Sequence, residues 1–302
     1  MPILNIRHLT RYRYRRPVAF GEHRMMFRPR EGPEQRLIAQ SLHILPHPVL
    51  TQTTQDHFGN SVTRVAFDGR AAELCFESAI QIDHRPADGA RLADEQFPLP
   101  GAPFLYDPMD YPDLARSIAP AHADGNGALA QWSRRFAPAN GAGRVAESLM
   151  VMTGAIHEDF TYERRLFDSP RAPLETLERR SGSCRDFAVL MIDAARHLGL
   201  AARFVSGYLC AAPGRVGGGH THAWVQVYLP SQGWLDFDPT NGIVDGKGLV
   251  RVAVGVEPRQ VVPLHGTWFG AAGDYLGLEV SVDVAPEIEP ERLRGVKVAM
   301  AG

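Results

Sequence analysis

The segment Ser181-Gly182-Ser183-Cys184-Arg185-Asp186-Phe187 limits the possible folds more than any other stretch of the chain. Ser183 is a residue type that starts helices, and Asp186 three positions later completes a pattern akin to a capping box. Phe187, Leu190, Met191, Ala194, Ala195 and Leu198 follow at helical spacing as one apolar stripe, and Gly199 suits the position just past a helix end. The pattern predicts a buried helix with Cys184 in its first turn. Unpaired amides and positive potential at a helix start favour thiolate over thiol and can hold a developing oxyanion. Arg180 and Arg185 add positive charge there. Taken alone, a free cysteine in such a place serves equally well as a small core residue. The other cysteines, Cys75 and Cys210, sit in strand-like apolar settings and read as core. Three cysteines without a C-x-x-C pair make neither a disulfide framework nor a structural zinc site.

Downstream, the glycine-rich loop 213–219 leads into His220-Thr221-His222-Ala223-Trp224, where a strict alternation begins. His222, Trp224, Gln226 and Tyr228 share one strand face, which suits a cleft wall, and Ala223, Val225, Val227 and Leu229 share the other, which suits a core. Pro230 to Gly233 reads as a four-residue turn, and Trp234 to Asp238 as the returning strand. Pro239 holds the backbone of Asp238 extended. Cysteine, imidazole and carboxylate fit thiol catalysis: the imidazole moves the thiol proton and the carboxylate fixes its tautomer. In that hairpin register Val225 faces Asp238 and His222 lies about 10 Å further along, so a bulge, twist or different loop has to close the gap. Asn241 lies nearer, which keeps a Cys-His-Asn arrangement open. Separately, His222 suits a strand histidine satisfied by a neighbour and Asp238 an Asp-Pro turn; only together with the capped cysteine helix do they point to catalysis. His220-x-His222 resembles half a metal site, but no carboxylate stands at ligand spacing, and no metal is expected.

Around this centre, the 302 residues suffice for one large domain or two ordinary ones. Up to about residue 85 the chain reads as β-structure: Arg11 to Arg15 alternates, Ser61 to Phe67 is a strand, and Glu73 to Ile80 returns after an Asp68-Gly69 turn. Residues 86–113, rich in proline, read as a linker or as a chain wrapping over a surface. Helices are predicted over Ala128–Phe136 and Arg144–Glu158, and strands over Leu249–Val254 and Leu278–Val284, with an irregular stretch at His265–Gly277. Lys plus Arg (32) nearly balances Asp plus Glu (34), so neither nucleic acid nor an anionic membrane is an expected partner. Without a signal-like or span-length apolar run, the expected location is the cytoplasm.

At these residues the sequence resembles the transglutaminase-like superfamily. The matching blocks are Gly182 to Ala188, Leu198 to Tyr208, His222 to Tyr228, and Gly233-Trp234 through Asp236 to Gly242. The start, with Thr10 to Tyr14, Pro17-Val18, Arg28-Pro29-Arg30 and Pro46, resembles the β-domain preceding this core in bacterial members. The resemblance implies an α+β fold: a papain-like core, with the cysteine on a helix N-terminus packed on an antiparallel sheet, preceded by a β-sandwich-like domain. The expected division is residues 1–100 and 101–302, the C-terminal strands belonging to the second part. It also implies catalytic roles for Cys184, His222 and Asp238 in acyl transfer through a thioester on a peptide or protein, without a cofactor, an amine or water resolving the intermediate. The other expectation, from a different class, is an inactive relative that only binds peptides in the same cleft. Tyr162 is a candidate oxyanion donor, Trp224 and Trp234 are candidate substrate-tunnel walls, and loop 213–219 a candidate lid. The sequence departs from the bacterial pattern at Arg185, often Gln, at Val189, often His, at Gly219-His220-Thr221, usually Asp-Ala-Ser, and at Gly255-Val256-Glu257-Pro258, usually Gly-Arg-Asp-Tyr.

Overall fold

A computed structural model describes residues 3–86, 93–98, 104–138, 143–165, 169–210, 212–244 and 246–286. In chain order the first strands are β1 (Ile3–Met25), β2 (Gln35–Leu45), β3 (Leu50–Gln55), β4 (Ser61–Ala66) and β5 (Arg70–His84). Then come α1 (Tyr111–Ile118), α2 (Ala128–Arg134), α3 (Val145–Asp159), β6 (Thr161–Tyr162), α4 (Pro173–Arg179), β7 (Ser181–Gly182) and α5 (Cys184–His197). The chain continues as β8 (Ala202–Leu209), β9 (His222–Leu229), β10 (Gly233–Phe237), β11 (Leu249–Gly255), β12 (Leu264–Phe269) and β13 (Tyr275–Pro286). No described helix is long and apolar enough to cross a membrane.

The fold is α+β, built on two larger antiparallel sheets. The first is organised by β1, whose early residues pair with β5 on one edge and β13 on the other. The register with β5 breaks between Arg13 and Val18, around Pro17, where the missing N–H interrupts a ladder. Beyond the break β1 takes β12 and β4 as partners, and the sheet curls over Tyr14, Val18, Phe20, Phe27, Leu74 and Phe76. The second sheet runs β10-β9-β8-β11, with α5 packed on it. Helices α2, α3 and α4 cover the rest of α5. Its polar side is therefore buried as well, and Asp193 and Arg196 need internal partners. Asp193 accepts from the His122 ring at 2.7 Å and the Ala121 amide at 3.2 Å, and Arg196 donates to the carbonyls of Ser117, Ala202 and Val256.

Three expectations change. The C-terminal strands β12 and β13 pair with β1, so they belong to the first sheet; such pairing between chain ends leaves no local trace in the sequence. The stretch read as irregular at 265–277 holds most of β12 and a short 3-10 turn at Ala272–Asp274. Pro112, read as part of a linker, sits in the first turn of α1, where its missing N–H has no intrahelical partner to lose. The boundary drawn between residues 100 and 101 lies outside the described residues.

The two sheets meet along β11, an edge strand. An open edge leaves backbone donors and acceptors unpaired. Two amide side chains of the first sheet's region close it by imitating a neighbouring strand. Gln35 donates to the Arg251 carbonyl at 2.7 Å and accepts its N–H at 3.0 Å. Asn60 donates to the Val254 carbonyl at 2.8 Å and accepts its N–H at 2.9 Å. Both side chains are buried. Replacing Asn60 with alanine strands two buried backbone groups, so Asn60→Ala should lower unfolding stability by about 2–4 kcal/mol. Urea denaturation would measure the loss; an unchanged midpoint and slope would show that this clamp holds nothing.

Candidate active site

Cys184 is the first residue of α5, and a short parallel ladder fixes its surroundings. Tyr162 in β6 pairs with Gly182 in β7, and the Glu163 N–H donates to the Gly182 carbonyl at 2.7 Å. A Cβ on Gly182 would lie 2.8 Å from the Cβ of Asp186, so the chain needs glycine at this approach. Asp186, fully buried, accepts from the Ser183 N–H at 2.7 Å, as expected at a helix start. The Ser183 hydroxyl donates to the same carboxylate at 2.9 Å. Arg165 and the Arg171 N–H complete the shell at 2.8 and 2.7 Å. Burial alone would raise this carboxyl; the hydrogen bonds from Ser183, Arg171 and Arg165 outweigh it and hold it below the usual range.

His222 and Asp238 are also buried, and His222 Nε2 meets Asp238 Oδ2 at 2.8 Å. The gap expected from the hairpin closes in two ways. The loop has three residues, since Gly233 pairs with Leu229, which shifts the register by one and sets Asp238 level with Trp224. Asp238 also lies just past the strand end, where its N–H donates to the Ile243 carbonyl at 2.7 Å, and its side chain reaches diagonally to His222. Asn241 does not take the acid's place beside the imidazole; its Nδ2 donates to Asp238 Oδ2 at 2.8 Å. The Thr240 N–H donates to Oδ1 at 2.9 Å. The second imidazole nitrogen, Nδ1, is buried without a full hydrogen bond among the described residues, while the Cys184 thiol is near enough to raise the ring's pKa. A cavity of about 370 Å³ is lined by Cys184, His222 and Tyr162 together with residues of the first sheet.

The ionisation of the pair follows from burial and contact. Burial alone would lower the His222 pKa; the charge of Asp238, its hydrogen bond and then Cys184 outweigh this and raise it to about 10. For Asp238 burial would raise the pKa, but His222, Asn241 and the Thr240 N–H hold it below the ordinary carboxylate value. Tyr162 is pushed up to about 12, first by burial and then by Cys184, so its hydroxyl stays a donor at neutral pH. Burial also pushes the Cys75 and Cys210 thiols up.

Trp224 and Trp234 do not line this cavity. Trp224 is wholly buried among Val205, Leu209, Ile243 and Leu249, and its Nε1 donates to Asp236 at 2.7 Å. The strand face read as a cleft wall is thus covered beyond His222, because Ile243 of the loop after Asp238 and Phe58 of the β3–β4 connection pack against it. Trp234 lies under the Arg203 guanidinium, 3.9 Å from the ring centre. Residues that the sequence reading missed also enter the cavity: His8, Thr10 and Tyr12 from β1, and Leu278 and Val280 from β13. Their alternation marks strands, but nothing local shows which strand faces the thiol. His220 and His222 are committed to different partners, Arg164 and Asp238.

Comparison with known proteins bears on the family and the fold. Residues 134–239 match the family model described as the transglutaminase-like superfamily, and residues 4–83 match the bacterial transglutaminase-like N-terminal region. An uncharacterized protein of Mycobacterium tuberculosis is 31% identical over 305 residues, covering 93% of this chain and 92% of that protein. A protein-glutamine gamma-glutamyltransferase of Pseudomonas aeruginosa is 38% identical over 69 residues, 21% of this chain and 10% of that enzyme. The crystal structure of a candidate cysteine protease from Cytophaga hutchinsonii shares the fold, with a TM-score of 0.69 at 19% identity over 95% of this chain and 91% of that one.

The buried pair predicts a pH signature. The raised His222 pKa contributes stability fully present below its ordinary 6.5 and lost as pH climbs through about 10. The lowered Asp238 pKa contributes stability present above its ordinary 3.8 and lost as pH falls through the depressed value. Asp238→Asn should therefore cost about 3–5 kcal/mol between these limits and progressively less toward alkaline pH. Thermal melts across that range test it; a difference that stays constant from neutral pH through alkaline pH would rule out a charged pair.

Proposed function

Since the chain belongs to the transglutaminase-like superfamily, we propose that Cys184, His222 and Asp238 form a thiol catalyst acting on amide groups of peptides or proteins. The Cys184 Sγ attacks the amide carbon, and the electron pair moves onto the carbonyl oxygen. Amides in the first turn of α5 and the Tyr162 hydroxyl are the donors available to that oxygen. Collapse of the tetrahedral species breaks the C–N bond, and His222 passes the thiol's proton to the departing ammonia or amine. Water or a second amine then attacks the thioester, returning a proton through His222, and the thiol is released. Asp238 holds the ring by Nε2 throughout, so that Nδ1 serves the sulfur side.

The observation carrying this reading is the division of labour on the imidazole. One nitrogen is bound to a buried acid, and the other, without a full hydrogen bond among the described residues, belongs to a ring that shares a cavity with Cys184 and whose pKa that thiol raises. The stretch shared with the gamma-glutamyltransferase supports a glutamine carboxamide as acyl donor, with transfer to an amine or hydrolysis as the second half.

Intact-mass measurement after incubation with pools of glutamine-containing peptides tests the proposal. The expected product is a Cys184 adduct of peptide minus ammonia, discharged by an added amine. Cys184→Ala should form none, and His222→Ala should slow its formation by about 10²–10⁴-fold. An adduct that persists in Cys184→Ala, or turnover indifferent to His222, would overturn the assignment.

A further inference from the structure

The cleft that holds Cys184 has two unlike sides. Val262, Leu264, Leu278 and Val280 make one of them apolar. Arg164, Arg165 and Arg185 make the other basic, with His220 beside them, and no Asp or Glu is among the described residues lining the cavity. The chain as a whole is nearly neutral, with a formal charge of −2, so this excess is local.

The pairing of the arginines sharpens the contrast. Arg165 is bound to Asp186 at 2.8 Å, and Arg259 at the rim is bound to Glu257 at 2.6 Å. Arg185 donates to the Arg165 carbonyl at 2.6 Å, which fixes its guanidinium without neutralising it. Arg164 donates to His220 Nε2, and burial followed by Arg164 lowers the pKa of that imidazole, so His220 brings no charge at neutral pH. Among the described residues neither Arg164 nor Arg185 has a carboxylate within ion-pair distance, although most other arginines of the chain do. Like charges held together in a partly closed cleft repel one another, and an anionic ligand relieves that repulsion. Guanidiniums in this setting suit carboxylates, which they can grip through two N–H groups.

Building on the thiol-catalysis reading, we infer that the acyl donor is an acidic peptide. Its reactive amide is flanked by an Asp or Glu side chain that docks on Arg164 and Arg185, and by an apolar residue that packs on Leu264, Leu278 and Val280. Specificity then comes from the basic side of the cleft, while the apolar side, supplied by the first sheet's strands, orients the peptide.

Fluorescence anisotropy with Cys184→Ala protein tests this without requiring turnover. Three labelled peptides share a Gln-Leu core flanked by Glu, Ser or Lys. The Glu peptide should bind about tenfold tighter than the Ser peptide at low salt, and the Lys peptide weakest. Rising salt should close the gap, as should Arg164→Glu, an exposed position whose fold is checked by melting. Equal affinities, a preference for Lys, or no binding of the Glu peptide up to millimolar concentration would overturn the inference. Wild-type protein is incubated with the same peptides for intact-mass analysis. Preferential Glu-peptide binding without an adduct would leave acidic recognition standing and remove the chemistry. Adducts formed equally from Glu and Ser peptides of equal affinity would do the reverse.

Discussion

Burying the Asp238 carboxylate is the constraint around which the second sheet is arranged. An ionised acid with no exposure carries a desolvation penalty of several kcal/mol unless donors surround it. His222, Asn241 and the Thr240 N–H are those donors, and each dictates something about the chain. His222 requires β9 to run beside the end of β10. Thr240 and Asn241 require the tight turn that returns Ile243 to the Asp238 backbone. Asn241 goes further, since its other contacts are the Val216 N–H at 2.8 Å and the Val216 carbonyl at 3.2 Å. The glycine loop is thereby tied to the acid at one end, and at the other the Val282 N–H holds the Gly219 carbonyl at 2.9 Å. A loop rich in glycine is usually read as mobile; this one is anchored at Val216 and at Gly219, both shortly before His222. Gly217 has φ +82°, and a Cβ there would stand 3.0 Å from His222 Nδ1, so glycine keeps that nitrogen clear.

The cysteine side obeys the same rule with a different acid. Asp186 draws in the Ser183 N–H and hydroxyl, Arg165 and the Arg171 N–H. Those bonds hold Arg165 and the Arg171 backbone against the helix start, and Arg164, Arg165 and Tyr162 line the cleft. The site thus rests on two buried carboxylates, one under each side, with α5 and β9 packed together as the common frame. Neither acid lines the cavity.

Much of this was readable in the sequence because it is local. The stripe from Phe187 to Leu198 and the Ser183–Asp186 pattern marked the helix start, and the alternation from His222 marked β9. The contact of His222 with Asp238 was harder, because a loop of three residues in place of four moves every partner by one, and composition at Pro230–Gly233 does not separate the two. Trp224 was misread because alternation shows which residues share a face and not whether another segment covers it; here Ile243 and Phe58 do. Asp186 was read as a capping residue, yet its partners Arg165 and Arg171 arrive from a loop whose course no periodicity describes. The return of β13 to β1 joins residues more than two hundred positions apart, such as Ile6 and Val284, and only the three-dimensional structure shows it.

That return matters for the site. Tyr12 of β1, Leu264 of β12, and Leu278 and Val280 of β13 line the same cavity as Cys184, so the segment 134–239 supplies only part of the cleft. The first sheet is held in place where Gln35 and Asn60 occupy the edge of β11, reinforced by Arg251 against Glu34 at 2.7 Å and by Tyr208, which donates to the Phe27 carbonyl at 3.3 Å and accepts from His8 at 3.0 Å. Of these residues His8 lies on β1, the strand that also brings Tyr12 to the cleft. Removing the first sheet would therefore do two things at once. It would expose the edge of β11, an open template for strand pairing, and take away the apolar side of the cleft while leaving Cys184, His222 and Asp238 in their own frame. The Cys184–His222–Asp238 group and the apolar wall facing it are thus held by different sets of buried polar contacts.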